Sequence, residues 1–312
     1  MKTVIMGAGA MGSLFGGLLA FSGEEVCLVD VRKEQVDVIR SVGLTMEEGE
    51  KLQIIGVNAT QDIASLGQAD LVIFFVKTYQ TEQAVSDALV LEKEDTIFLT
   101  LQNGLGNEEV LCQKIDPKKV LLGVTGQGAT LVGPGHIRHA GWGKTYIGEV
   151  DHQMTDRAQR VAEMFRNADI DTDVSANIHG LIWEKLLANA GINALTALTG
   201  LKNGQLLDHP ETLRLMEGLV SEAAEVARRK GIEIEGDPIE KVKTVAEATR
   251  GNRSSMGQDF DFQRRTEIDA INGAVVREAE RLGIPVPFNR IVTDLVKVIE
   301  KPFWASVRSD PF

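Results

Sequence analysis

The first thirty residues constrain the fold more than any other stretch. Thr3 to Met6 reads as a short apolar strand, Gly7, Gly9 and Gly12 follow in the pattern GAGAMG, and a helical run extends from Met11 to Phe21. A second strand, Glu25 to Asp30, ends on an acid 23 residues after Gly7. That is close to the spacing of about 20 at which a carboxylate meets the adenosine ribose of a dinucleotide. Glycine spacing alone also fits a tight turn in other α/β proteins, but strand, glycine turn, helix and acidic strand end in this order predict a Rossmann βαβ unit. In such a unit Gly7 permits the turn, Gly9 lets the backbone approach a pyrophosphate, and Gly12 lets helix pack on strand. The helix start at Ala10 and Met11 supplies free N–H groups and positive dipole.

Further apolar runs at 71–76 (LVIFFV), 96–101 (TIFLTL) and 120–124 are of the kind buried on both faces of a parallel sheet. Lys77, Thr78 and Gln80 follow the first, and Gln102, Asn103 and Gly104 the second, at the carboxyl ends where open α/β sheets bind ligands. Asn-Gly by itself is a turn dipeptide; its place at a strand end points instead to cofactor or substrate contact. From Gly128 to Val150, glycine-separated short strands including HIRHAGWGKTYIGEV predict a hairpin extension of the sheet. His136 and His139 have HxxH spacing, but on a strand their side chains point to opposite faces, so no metal site is expected.

After Asp173 the strand signals fade and helices take over from about Asn177, with amphipathic spacing around Glu211–Lys230, Pro238–Thr249 and Phe260–Leu282. The 312 residues fit two domains. The expected architecture is an α/β N-terminal Rossmann domain with a doubly wound, mostly parallel sheet over residues 1–175, and an all-α C-terminal domain over 176–312. A formal net charge of −12 argues against gripping nucleic-acid phosphates. Two cysteines without CxxC spacing fit a reducing, cytoplasmic setting, and no apolar run reaches the roughly eighteen residues of a membrane span. The tail KPFWASVRSDPF carries aromatics that either cap a partner subunit or lie loose.

One apolar helix carries an unusual polar set. In LIWEKLLANAGINALTALTG, Lys185, Asn189 and Asn193 recur every four residues and fall within an arc of roughly 80°. A helix apolar nearly all round is a buried one, and buried polar groups need partners. Either the stripe hydrogen-bonds another helix, or it lines a cleft between the domains and faces a dinucleotide. In the second case the ammonium of Lys185 stabilises and protonates the oxygen left negative when a hydride reaches a carbonyl carbon. Desolvation lowers the pKa of such a lysine and a carboxylate raises it, so an acid is needed nearby. The run SSMGQDFDFQRRTEID supplies a candidate: Ser255 with Gln258 resembles a capping box, and Glu267 lies in the helix expected to follow.

With GAGAMG, FFVKT, LQNGLG, WEKLLANAGIN and SSMGQDFDFQRRTEIDAINGAV in this order, the chain resembles the ketopantoate reductase family, the 2-dehydropantoate 2-reductases, over nearly its whole length. The last two motifs are specific; the glycine motif is shared with many dehydrogenases. The resemblance implies reduction of a small 2-oxo acid to the (R)-2-hydroxy acid by NADP(H) or NAD(H), and a homodimer formed through the helical domain. It makes Lys185 the general acid, with Glu267 interacting with the lysine and substrate. Asn189, Asn193 and Ser255 hold substrate carboxylate and hydroxyl groups, Asn103 contacts substrate and nicotinamide, and Lys77 and Gln80 lie around the adenosine half.

The chain departs from the family at LVDVRKE, where Asp30 ends the second strand and Arg32 follows two residues later. The family default is NADP; a carboxylate here favours NAD by accepting ribose hydroxyls and repelling a 2′-phosphate. Some relatives with this pattern are D-2-hydroxyacid dehydrogenases of the mandelate type, which leaves the substrate side chain open. Tyr79 and Tyr146 lack the lysine four residues on that a short-chain dehydrogenase needs. A 3-hydroxyacid or 6-phosphogluconate type enzyme shares the lysine–asparagine spacing but not the run from Ser255 to Glu267. A catalytically silent dinucleotide sensor would have no use for Lys185, Asn189, Asn193, Ser255 and Glu267 together.

Overall fold

The computed structural model describes residues 1–305; the end of the tail, expected to cap a partner subunit or to lie loose, is outside the described residues. The chain forms two compact units. The first comprises Met1–Gln102 and Asn107–Ile178, and the second comprises Asn103–Gly106 together with the chain from His179 onward. A single cut at 175 does not anticipate the four residues 103–106.

The first unit runs β1 (Lys2–Met6), α1 (Ala10–Phe21), β2 (Glu25–Val29), α2 (Lys33–Val42), β3 (Leu44–Glu48), β4 (Lys51–Ile55), β5 (Asn58–Thr60) and β6 (Leu71–Phe74). It continues through α3 (Thr81–Ala88), β7 (Ile97–Thr100), α4 (Asn107–Cys112), β8 (Val120–Thr125), β9 (Gly128–Gly133), β10 (His136–Gly141), β11 (Thr145–Glu149), α5 (Asp156–Asn167) and β12 (Thr172–Val174). Eight strands form one sheet in the order β12-β11-β8-β7-β6-β1-β2-β5. All neighbours are parallel except β8 and β11. Strands β1, β6 and β7 are buried throughout their centres, as continuous apolar runs require. Strand order reverses about β1, which makes the carboxyl ends of β1 and β6 the topological switch point where such sheets bind ligands. This is the doubly wound Rossmann architecture.

The expected hairpin extension is corrected in part. Only β11 joins the main sheet, antiparallel to β8, whereas β10 pairs with β9 and β3 in a second, four-stranded sheet of order β4-β3-β10-β9. His136 and His139 belong to this second sheet and have separate partners: His136 lies 2.8 Å from Glu47, and His139 lies 2.8 Å from Gln127.

The second unit is helical: α6 (Ile178–Thr199), α7 (Pro210–Arg229), α8 (Pro238–Ala248), α9 (Ser255–Asp261), α10 (Asn272–Leu282) and α11 (Pro287–Ala305). The continuous helix expected over Phe260–Leu282 is broken, because α9 stops at Asp261 and α10 starts at Asn272. Gln263 takes a left-handed backbone (φ 51) in the intervening loop, which no α-helix can continue. Helix α6 runs through the core of this unit, burying Trp183, Leu186, Leu187, Ala190, Ile192, Ala194 and Leu195. Gly191 lets α7 approach: a Cβ there would sit 2.7 Å from Val220.

A buried amide pair locks these helices together. Asn272 donates to the Ala190 carbonyl of α6 and to the Asn289 side chain, both at 3.0 Å, and Asn289 donates to the Leu219 carbonyl and to Glu222 of α7. Both asparagines are fully buried, so removing one strands the partners of the other. We expect Asn289→Leu to lower unfolding free energy by about 2–3 kcal/mol in urea denaturation, because desolvated polar groups lose their partners.

Candidate active site

In the first unit the glycine turn follows directly from local sterics. Gly7 has φ +103, and a Cβ on it would lie 2.9 Å from the Val76 nitrogen two residues beyond β6. A Cβ on Gly12 would lie 1.9 Å from the Gly7 carbonyl oxygen, so α1 packs this closely only with glycine there. Gly9 is different: its φ is −71, and nothing lies within 4 Å of the position a Cβ would take. Neither its own backbone nor its packing requires glycine, and the open space is what an approaching phosphate needs. Gly9 is also the N-cap of α1; no side chain caps this end and no acid occupies its first turn at Ala10 and Met11. The residues present therefore fit a bound dinucleotide pyrophosphate.

Three side chains hold the loop in shape, and of these sequence reading singled out Arg32 but not Ser13 or Gln35. The Ala8 carbonyl accepts from Gln35 at 2.8 Å, Ser13 at 3.1 Å and Arg32 at 3.2 Å. Gln35 also receives the Gly135 N–H from the β9–β10 turn. Nothing local in sequence marks Gln35, since its partners come from far along the chain.

Asp30 sits just beyond β2 and is 8% exposed. Both of its oxygens take up Arg32, through Nε and Nη2 at 2.9 Å each, and its Oδ1 also accepts the Arg32 N–H. The Asp30 hydrogen bonds raise the arginine pKa further. Lys77 is half-buried after β6 and caps the short turn Thr78–Gln80, on which Gln80 is exposed.

The second unit holds the rest of the predicted set. Lys185 and Asn189 are half-buried and Asn193 is 5% exposed on α6. Desolvation pushes the Lys185 amine down to about 8, and the negative charge of Glu267 pulls in the opposite direction. Glu184, adjacent in sequence, is committed elsewhere, to Lys241 at 2.8 Å. Glu267 itself is 6% exposed. The expectation that it lies within a helix is corrected: it precedes the 3₁₀ turn Ile268–Ala270, in the loop between α9 and α10.

Two contacts bring remote segments to this group. Gly104 has φ +76 and a Cβ on it would fall 2.4 Å from the Ala270 carbonyl, which also accepts the Leu105 N–H at 2.9 Å. Asn103 is thereby carried on a segment fastened to the turn that follows Glu267. At the other end, Thr196 of α6 hydrogen-bonds Ser254 at 2.6 Å, and Ser254 accepts the Gly257 N–H. Ser254 therefore caps α9, not Ser255 as the capping-box reading supposed. Gln258 instead donates to the Arg253 carbonyl. Ser255 is the exposed first residue of α9, free of the capping duty its neighbour performs. Among the described residues no cluster of three or more His, Cys, Asp or Glu suits a metal.

Comparison with known proteins gives a consistent result. The sequence profile described as Ketopantoate reductase PanE/ApbA matches residues 3–152, and that described as Ketopantoate reductase PanE/ApbA C terminal matches residues 177–300. The chain belongs to the ketopantoate reductase family. A 2-dehydropantoate 2-reductase of Halobacterium salinarum is 37% identical over 302 residues, covering 96% of this chain and 99% of the relative. One from Archaeoglobus fulgidus is 37% identical over 301 residues, covering 96% and 98%. Among solved structures, a PanE/ApbA family ketopantoate reductase from Ralstonia eutropha superposes with TM-score 0.90 at 34% identity, covering 97% of this chain and 100% of that one. A D-mandelate dehydrogenase with NADH and anilino(oxo)acetate superposes with TM-score 0.91 at 31% identity, covering 97% and 99%.

Three outcomes test the site. Gly9→Val is expected to fold normally and to weaken NAD(P)H binding about tenfold or more, roughly 1.4 kcal/mol, in fluorescence titration. If Lys185 is the proton donor its amine must be charged, and reduction of the 2-oxo acid should then fade as pH rises through about 8. In Glu267→Gln, where the charge that raises the lysine is gone, that limb of the kcat/KM profile should move to lower pH.

Proposed function

We propose that this protein reduces 2-dehydropantoate to (R)-pantoate, with Lys185 as general acid. The observation that carries the reading is the pair on the helical unit: an amine shifted to about 8 by desolvation and opposed by the buried carboxylate of Glu267. An acid with a pKa near the working pH is the effective proton donor. Bound reduced nicotinamide supplies a hydride to the carbonyl carbon. The protein's own part is to hold the substrate and to place a proton on its oxygen.

In this reading Asn189, Asn193, Ser255 and Asn103 hold the 2-oxo acid by hydrogen bonds to its carboxylate and hydroxyl groups. Lys185 Nζ donates to the carbonyl oxygen as negative charge develops there, and Glu267 keeps the amine protonated at neutral pH. Gly7, Gly9, Ala10, Met11 and Gly12 cradle the pyrophosphate, and Lys77 and Gln80 lie along the adenosine half.

Asp30 supports NADH as the preferred reductant: it is a nearly buried carboxylate at the end of β2, where ribose hydroxyls are read. Arg32 is already engaged by both Asp30 oxygens, so a 2′-phosphate approaching it would meet the carboxylate as well. The NADH named with the D-mandelate dehydrogenase structure favours the same choice. That structure also motivates a second reading, in which the chain acts on a bulkier 2-oxo acid of mandelate type.

The homodimer finds support on α11. Its inner face buries Asn289, Val292 and Val296, while Phe288, Ile291, Leu295 and Val298 leave an apolar stripe 40–60% exposed. Such a stripe at helical spacing suits burial against a second copy. No described helix is long and apolar enough to cross a membrane, and both cysteines are free, which is compatible with a cytoplasmic protein.

A panel of 2-oxo acids assayed with NADH and NADPH tests the substrate and cofactor together. Ketopantoate is expected to give the highest kcat/KM, with NADH preferred and the preference reduced in Asp30→Ala. Brisk turnover of an aryl 2-oxo acid beside negligible turnover of ketopantoate would select the second reading. Leu295→Glu is expected to yield monomers in sedimentation analysis.

A further inference from the structure

Glu300 is an unusual residue for its position. It lies near the end of α11, on the inner face, and is 1% exposed. A buried carboxylate is costly unless it is hydrogen-bonded, and this one is hydrogen-bonded by Thr266 of the α9–α10 loop. Its Oε2 accepts the Thr266 N–H at 2.9 Å, and the Thr266 side chain hydrogen-bonds it as well. The Thr266 hydroxyl oxygen in turn accepts the Ile268 N–H at 3.2 Å. The residue enclosed by these bonds, between Thr266 and Ile268, is Glu267.

We propose that Glu300 is a positioning residue for proton transfer: through Thr266 it fixes the loop on which Glu267 opposes the charge of Lys185. This rests on the assignment of Lys185 as proton donor. The loop has no regular structure of its own from Phe262 to Glu267, so the placement of Glu267 must come from tertiary anchors. Helix α11 supplies two, since Lys297, one turn before Glu300, also pairs with Asp269 at 2.6 Å. Burial raises the pKa of Glu300, opposed by its bonds to Thr266 and by Arg265, while Asp269 adds to the rise. On its own helix, Lys297 is turned to Asp269 and Lys301 is exposed. Around Lys185 the opposing charge is Glu267, with Glu184 occupied by Lys241.

The test compares Glu300→Leu, Glu300→Gln and Glu267→Gln in the full-length enzyme with NADH and ketopantoate. Leucine fills the space without an acceptor; glutamine keeps an acceptor oxygen for the Thr266 N–H and drops the charge. Glu300→Leu is expected to move the alkaline limb of kcat/KM down by about one pH unit, in the direction of Glu267→Gln, as weakened opposition from a nearby charge should. The KM for NADH should stay unchanged, and Glu300→Gln should return the limb to near the wild-type position. A purely structural role would lower thermal stability in Glu300→Leu and leave the limb where it is, which overturns the proposal. A Glu300→Gln variant as shifted as Glu300→Leu overturns it also. If Glu300→Leu does not fold, Glu300→Asp, with its carboxylate withdrawn by one methylene, must show the same downward shift. Should Glu267→Gln itself leave the limb unmoved, the Lys185–Glu267 pairing fails first and the role of Glu300 falls with it; a shift in Glu267→Gln alone rejects only Glu300.

Discussion

The balance struck at one amine governs the rest of the site. Lys185 is carried on a largely apolar helix, and burial drives the ammonium towards losing its proton. The negative charge of Glu267 holds it back. In the proposed role, burial makes the amine a stronger acid and the carboxylate favours its charged form. The opposing terms leave it near 8, where protonation and donor strength are both available.

That balance depends on parts far apart in sequence being fixed with respect to one another. Helix α6 is tied to α10 and α11 by Asn272 and Asn289, and to the start of α9 by the hydrogen bond between Thr196 and Ser254. The segment bearing Asn103 leaves the first unit and is fastened to the Ala270 carbonyl. Each tie is a hydrogen bond between segments distant in sequence, so the helical unit specifies its geometry as well as its burial. The glycine turn of the first unit works by the same rule, with the Ala8 carbonyl taken up by three side chains.

Features set by a residue's own backbone or its near neighbours were legible in the sequence. Gly7 and Gly12 are dictated by the turn they make, the apolar runs of β1, β6 and β7 are those of doubly covered strands, and α6 is apolar enough to declare itself buried. Features decided at a distance were not. Strands β3 and β4 read LTMEE and KLQII, in which Leu44, Met46 and Ile55 are buried while Leu52 and Ile54 stay more than half exposed. Charge and partial exposure obscure the alternation. Ser254 and Ser255 are equivalent candidates locally, and only Thr196, 58 residues away, decides which one caps α9. The helical spacing after Phe260 was overridden by the loop that presents Glu267, whose anchors on α11 carry no sequence signature.

The most direct measurement of the central claim is an NMR titration of the Lys185 amine, using ¹⁵N- or ¹³C-labelled lysine and Lys185→Arg to assign the signal. The amine should titrate near 8, more than two units below the ordinary lysine value of about 10.4. A signal that titrates at the ordinary value would contradict the account, because the amine would then be solvated and would not be the tuned acid on which the site depends.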